Sequence, residues 1–244
     1  MCVIPARYGS TRLPGKPLLE IAGKPMIQHV VERVRQSATP DRVIVATDDD
    51  RIVAAVEAFG GEAMLTATDH PTGTDRLAEV AEAFPAADLV INVQGDEPLI
   101  PPQAIDALAA AFTDRPDLQM ATLVSELEDA DAQNPAAVKV VASLDGHALY
   151  FSRSLIPYPR NPGAHCRCYK HIGVYAYRRD FLLQYAKLPP TPLEQTESLE
   201  QLRALEHGFR IRLIETEFRS LGVDTPEDLQ RVRKMFLTEQ GASR

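Results

Sequence analysis

The chain contains no tryptophan, only three cysteines among its 244 residues, and no apolar run near the roughly 20 residues that a bilayer-spanning helix needs. Its N-terminus also lacks the charged and apolar regions of a signal peptide, so the sequence predicts a cytoplasmic protein. The cysteines are Cys2, Cys166 and Cys168, an odd number without a C-x-x-C pair. They predict reduced thiols and no zinc site. Aromatic residues make up only 6% of the chain against 45% hydrophobic residues overall. That balance suits aliphatic parallel strands covered by Ala/Leu-rich helices. Excess positive charge is missing as well: the formal net charge is −8, which argues against general binding to nucleic acid or an anionic membrane. The sequence has no internal repeat, low-complexity segment or Gly/Ser linker, and its length allows one α/β domain with its own core.

Against this acidic background, Val3-Ile4-Pro5-Ala6-Arg7-Tyr8-Gly9-Ser10-Thr11-Arg12-Leu13-Pro14-Gly15-Lys16 places three cations in a Gly/Ser/Thr/Pro-rich loop directly after a short apolar run. The pattern reads as a first strand delivering a loop to the carboxyl edge of a sheet, where open α/β folds bind ligands. Arg7 and Arg12 can fork onto phosphate oxygens while Lys16 supplies a point charge, so a nucleoside triphosphate is a natural guest; a solvated basic loop is the plainer alternative. Apolar periodicity predicts a helix through Met26–Val34, a strand at 43–46, a helix at 51–59, a strand at 63–65, a helix at 74–84 and a strand at 89–93. A helix follows from Pro101 or Pro102, then a strand at 119–124. These are βαβ units of a doubly wound, mostly parallel sheet. From about residue 134 the runs become short and β-like, and residues 137–188 read as a smaller excursion from the sheet. Strands at 171–177 and 209–214 and helices at 197–207 and 226–236 complete the chain.

Two further segments offer carboxylates. Asp96, in Gln94-Gly95-Asp96-Glu97-Pro98, follows the most strand-like run, as a magnesium ligand would, though Gly-Asp before a proline is also ordinary turn chemistry. Asp224-Thr225-Pro226 suits a helix N-terminus, with either Asp224 or Thr225 as the cap. The hydroxyl-rich loop at 66–76 runs into a helix for which Thr74 is the expected N-cap, and its neutral groups suit a base edge more than a phosphate.

The string R-x4-R-L-P-x-K, here Arg7, Arg12, Leu13, Pro14 and Lys16, resembles the signature of the sugar nucleotidyltransferases, and its extended form resembles the cytidylyltransferases that activate 3-deoxy-manno-octulosonate (Kdo). The resemblance runs along nearly the whole chain. It implies a Rossmann-like nucleotidyltransferase fold, CTP and the acidic eight-carbon sugar as substrates, Mg2+ as cofactor, a homodimer, and the sugar-activating step of lipopolysaccharide synthesis. It assigns Arg7, Ser10, Arg12, Lys16, Thr72, Gly73 and Gln94 to the nucleotide, with Lys16, Asp96 and Arg7 catalytic and Asp96 and Asp224 sharing the metal. The Phe-Ser-Arg string at 151–153, His-Ile-Gly-x-Tyr at 171–175 and Glu-x-Leu-Glu-Gln-Leu-Arg at 197–203 match the family's sugar-site strings. They nominate Arg153, His171, Tyr175, Glu200 and Gln201 for the sugar, with the guanidinium suited to clamp the sugar's carboxylate, and the resemblance also puts Gln94 near the sugar. The 137–188 excursion would supply the dimer contact. Rival expectations are a cytidylyltransferase for an amino-Kdo or a sialic acid, and a binding protein that retains the fold without turnover.

Overall fold

The computed structural model describes residues 1–9, 12–161 and 167–242, with side chains to residue 238. Ser10 and Cys166, singled out above, lie outside the described residues. In chain order the elements begin with β1 (Cys2–Ala6), β2 (Glu20–Ile21), β3 (Lys24–Pro25), α1 (Met26–Val34), β4 (Val43–Thr47), α2 (Asp50–Ala58), β5 (Glu62–Leu65), α3 (Gly73–Ala83), β6 (Leu89–Asn92) and α4 (Pro102–Ala110). They continue with β7 (Met120–Glu126), α5 (Asp129–Ala132), β8 (Lys139–Ala142), β9 (Ala148–Ser152), β10 (Tyr169–Arg178), α6 (Arg179–Tyr185), α7 (Pro192–Glu197), α8 (Gln201–Glu206), β11 (Ile211–Glu215) and α9 (Pro226–Ala242). None of the described helices is long and apolar enough to cross a membrane.

Two compact units emerge, one of Met1–Asp106 with Ser220–Arg244, the other of Ala107–Arg219, which encloses the expected excursion. In the first unit β6, β1, β4 and β5 lie side by side, all parallel. The register sets Cys2 opposite Val43 on one flank and Ile91 on the other. Strands β1 and β4 are apolar nearly throughout and buried, as a parallel sheet covered on both faces requires. Their carboxyl ends release the loops that begin at Arg7, Asp48 and Val93. Helix α9 closes this unit: Leu229, Val232 and Phe236 pack with Ile21, Met26, Val223 and Leu13, so the tip of the basic loop has an apolar anchor.

In the second unit β11 runs parallel to β7, and β10, β8 and β9 continue antiparallel. Strand β10 extends over ten residues, further than expected, and carries a bulge between Ile172 and Tyr175. The helix expected at 197–207 begins later, as α8 at Gln201, and an unexpected short helix, α7, precedes it. Ser198 adopts φ 51° and ψ 50° between them, a left-handed conformation that ends α7. The buried ion pair of Arg203 with Glu194, 2.5 Å at its closest, ties the two pieces together.

Candidate active site

In the first unit the loop after β1 turns back on itself. Gly15 N donates to Tyr8 O at 3.0 Å, and the Arg51 guanidinium stacks 3.3 Å from the centroid of the Tyr8 ring. Leu13 enters the apolar cluster beneath α9. Arg7, Arg12 and Lys16 line one cleft of about 410 Å³ together with Gly73, Gln94 and Asp96. Three sequence segments thus converge on a single cavity. Gly95 is needed there for close approach, since a Cβ at that position would stand 2.9 Å from Pro5 O.

The Arg7 guanidinium donates to His70 O at 2.8 Å and Thr72 O at 3.1 Å, so it fixes the loop that opens α3. Thr72, not Thr74, caps that helix: its hydroxyl and the Asp75 carboxylate form a reciprocal capping box, and Thr74 is buried. The helix therefore starts at Gly73, one residue earlier than expected. Local sequence rules give Arg76 no role. Its guanidinium is fully buried and donates to Asp48 Oδ2 at 2.8 Å and to Thr66 Oγ1, whose own proton goes to Thr47 O at 2.9 Å. This network joins the ends of β4 and β5 to the start of α3. The acidic run at 48–50 was the signal for it.

Asp96 and Asp224, 128 residues apart, meet at one ammonium. Lys16 Nζ lies 2.6 Å from Asp96 Oδ2 and 3.2 Å from Asp224 Oδ1, and Arg12 reaches Asp224 Oδ1 at 3.2 Å. Burial opposes the Lys16 charge, yet the attraction and hydrogen bonds of Asp96, then of Asp224, outweigh it and raise the pKa above its ordinary value. Thr225 caps α9, exchanging bonds with Asp228, so the choice between Asp224 and Thr225 falls to Thr225 and the Asp224 carboxylate is left for the cations. Two carboxylates already holding a cation between them are a hard, all-oxygen donor pair. No cluster of three or more His, Cys, Asp or Glu suited to a metal occurs among the described residues. The pair therefore fits an ion that takes one or two carboxylates and completes its shell with water and substrate phosphates, as Mg2+ does.

Residues 1–213 match the cytidylyltransferase family. The chain belongs to that family. A cytidylyltransferase-family relative from Geobacter sulfurreducens, named 3-deoxy-manno-octulosonate cytidylyltransferase, is 53% identical over 241 residues, covering 94% of this chain and 96% of the relative. A second of the same name, from Pelobacter propionicus, is 54% identical over 245 residues, covering 96% of each. A solved structure described as CMP:2-keto-3-deoxy-manno-octonic acid synthetase complexed with CTP superposes with a TM-score of 0.93 at 53% identity, covering 98% of both chains. The Rossmann-like nucleotidyltransferase fold expected from the sequence is thus the observed one.

The second unit holds the other predicted residues. His171 and Tyr175 face each other across the β10 bulge with ring centroids 5.3 Å apart, and Phe151 meets His171 edge-on at 5.1 Å. Thr122 Oγ1 lies 3.0 Å from His171 Nε2 and 2.9 Å from Val174 O, which suits an Nε2–H tautomer donating to a hydroxyl that donates onward to the bulge. Burial pushes the His171 pKa down to about 3, so the ring is neutral at physiological pH. Burial and then the charge of Glu200 raise the Tyr175 pKa. Gln201 is buried, and its Nε2 has no hydrogen-bond partner among the described residues. Arg153 has other partners than the carboxylate clamp envisaged for it: it donates to Glu197 O at 2.7 Å, Pro135 O at 3.0 Å and Ser198 O at 3.2 Å. It therefore braces the left-handed turn that leads to Glu200 and Gln201.

Proposed function

We propose that the protein transfers CMP from CTP to Kdo, releasing pyrophosphate, in a Mg2+-dependent reaction of a cytoplasmic homodimer. The observation that carries this reading is the cleft in which Arg7, Arg12, Lys16, Gln94 and Asp96 converge, in a chain 53% identical along its length to a synthetase described with CTP. The three cations neutralise the triphosphate, with Arg7 oriented by the carbonyls of His70 and Thr72 and Lys16 by the two aspartates. Gly73, at the head of α3, lines the cleft, and with Thr72 it would meet the base. Mg2+ held by Asp96 and Asp224 would supply Lewis-acid polarisation of the α-phosphate and lower the pKa of the attacking anomeric hydroxyl.

For the sugar, neutral His171, Tyr175, Glu200 and Gln201 offer hydrogen bonds. The partnerless amide of buried Gln201 favours a hydroxyl-rich ligand at this place, because a buried unsatisfied donor is costly until something accepts from it. Catalysis by such residues is mostly positioning and charge stabilisation. Pyrophosphate release is measured with Mg2+ and each nucleoside triphosphate against Kdo, its amino analogue and a sialic acid. Release with CTP and Kdo alone is expected. Release with a different acid sugar reassigns the substrate, and CTP binding without release under any condition refutes the enzyme reading.

A further inference from the structure

Glu97 directly follows Asp96, and the reading above gives it no role. Its side chain is buried, the residue being only 7% exposed. Glu97 Oε1 accepts a hydrogen bond from Ser220 Oγ, 123 residues away in sequence. At Gly222 the chain passes so close that a Cβ there would stand 3.3 Å from the same carboxylate oxygen. One residue further, Val223 N donates to Asp96 O at 3.0 Å. The segment 220–223 is therefore stitched to residues 96–97 at two points, with Val223 sunk in the apolar cluster beneath α9, and Asp224 comes next. Among the described residues the Asp224 carboxylate pairs with Lys16 and with the exposed Arg12, each at 3.2 Å, and its own side chain is 49% exposed. Lys16 and Arg12 hold its carboxylate, while the stitches at Ser220 and Val223 set where the backbone that carries it runs.

We infer that Glu97 is a positioning residue: through Ser220, and alongside the Val223–Asp96 backbone bond, it sets the spacing of the Asp96 and Asp224 carboxylates so that one divalent cation can be shared between them. This rests on the reading of that pair as the metal site. A group that orients metal ligands without touching the ion commonly governs metal affinity by about 10–100-fold.

The test is Mn2+ binding to the substrate-free protein, followed by electron paramagnetic resonance of the free ion, with folding checked by circular dichroism. Ser220→Ala and Glu97→Ala are each expected to weaken binding about tenfold. The double variant should lose no more than either single one, because both cut the same contact. Glu97→Gln, whose amide oxygen still accepts from the Ser220 hydroxyl, should stay near wild type. Wild-type affinity in folded Ser220→Ala and Glu97→Ala overturns the proposal, as do losses that add. Should Glu97→Ala not fold, Ser220→Ala decides alone. Asp96→Asn separates the two levels of inference. If it binds Mn2+ as the wild type does, the metal pair itself fails and the positioning role with it; if it alone loses binding, only the role of Glu97 and Ser220 fails.

Discussion

Replacing Lys16 by methionine keeps the aliphatic stem and removes the ammonium that holds Asp96 and Asp224 together. Two unit charges about 4 Å apart attract by roughly 4 kcal/mol at the effective permittivity of a protein surface, but desolvation takes back much of this. The Lys16 and Asp96 side chains are 17% and 27% exposed, so the pair stands between an exposed bridge, worth up to about 1 kcal/mol, and a buried one, whose breaking costs about 3–5 kcal/mol. A net loss of about 2 kcal/mol is expected, which in a chain of this size lowers Tm by roughly 4–8 °C. On the proposed reading Mg2+ would compete with the ammonium for the same oxygens in the wild type; in Lys16→Met it would meet Asp96 and Asp224 relieved of that ammonium, with Arg12 still beside Asp224. Differential scanning fluorimetry in EDTA and in millimolar Mg2+ should therefore show a lower Tm for the variant in EDTA and a larger Mg2+-induced rise than in the wild type. The Tm gap in EDTA should persist through neutral pH and shrink as pH climbs above the ordinary lysine value of 10.5, because a group whose pKa is raised on folding loses its contribution only as it deprotonates. Turnover should nevertheless fall by about 10²–10³, since a cation at the triphosphate is lost. Equal Tm in EDTA, or a Mg2+ response no larger than that of the wild type, would refute the reasoning.

Asp96→Asn should cut turnover by about 10² or more with the far-ultraviolet circular dichroism unchanged; near-wild-type turnover of the folded variant at limiting Mg2+ removes Asp96 from the reaction. Between pH 6.5, the ordinary histidine value, and about 3, the unfolded chain takes up a proton that folded His171 refuses, so stability falls with pH through that window by at most about 1.4 kcal/mol per unit. His171→Gln should flatten the Tm–pH curve from pH 7 to 4, and an unaltered slope would show that His171 is not held neutral. Arg76→Leu strands Asp48 against a buried hydrophobe and should cost about 3 kcal/mol in urea unfolding; a loss below about 1 kcal/mol would mean that the network does not bear on stability.

Much of this protein is legible along the chain. The apolar runs before Arg7, at 43–46 and at 89–93 declare buried parallel strands because a strand covered on both faces is apolar nearly throughout. The spacing of Arg7, Arg12 and Lys16 declares the basic loop, since its three charges lie within ten consecutive residues. Local rules fail where a distant partner outbids them. Thr74 is the expected cap, but the carbonyl–Arg7 bonds and the Asp75 box place the cap at Thr72. The 197–207 segment reads as one helix, yet Arg153 and the left-handed Ser198 hold its first residues in a turn, so that α8 starts only at Gln201. Sequence by itself determined the α/β class, the cation loop and each carboxylate as a candidate, because those depend on periodicity and on residue type. Only the tertiary structure decided that Lys16 stands between Asp96 and Asp224, that Thr225 and not Asp224 caps α9, and that Glu97 reaches Ser220. Each of these is a contact between segments far apart in the chain, whose geometry is set by the packing of the sheet and α9 and leaves no local pattern to read.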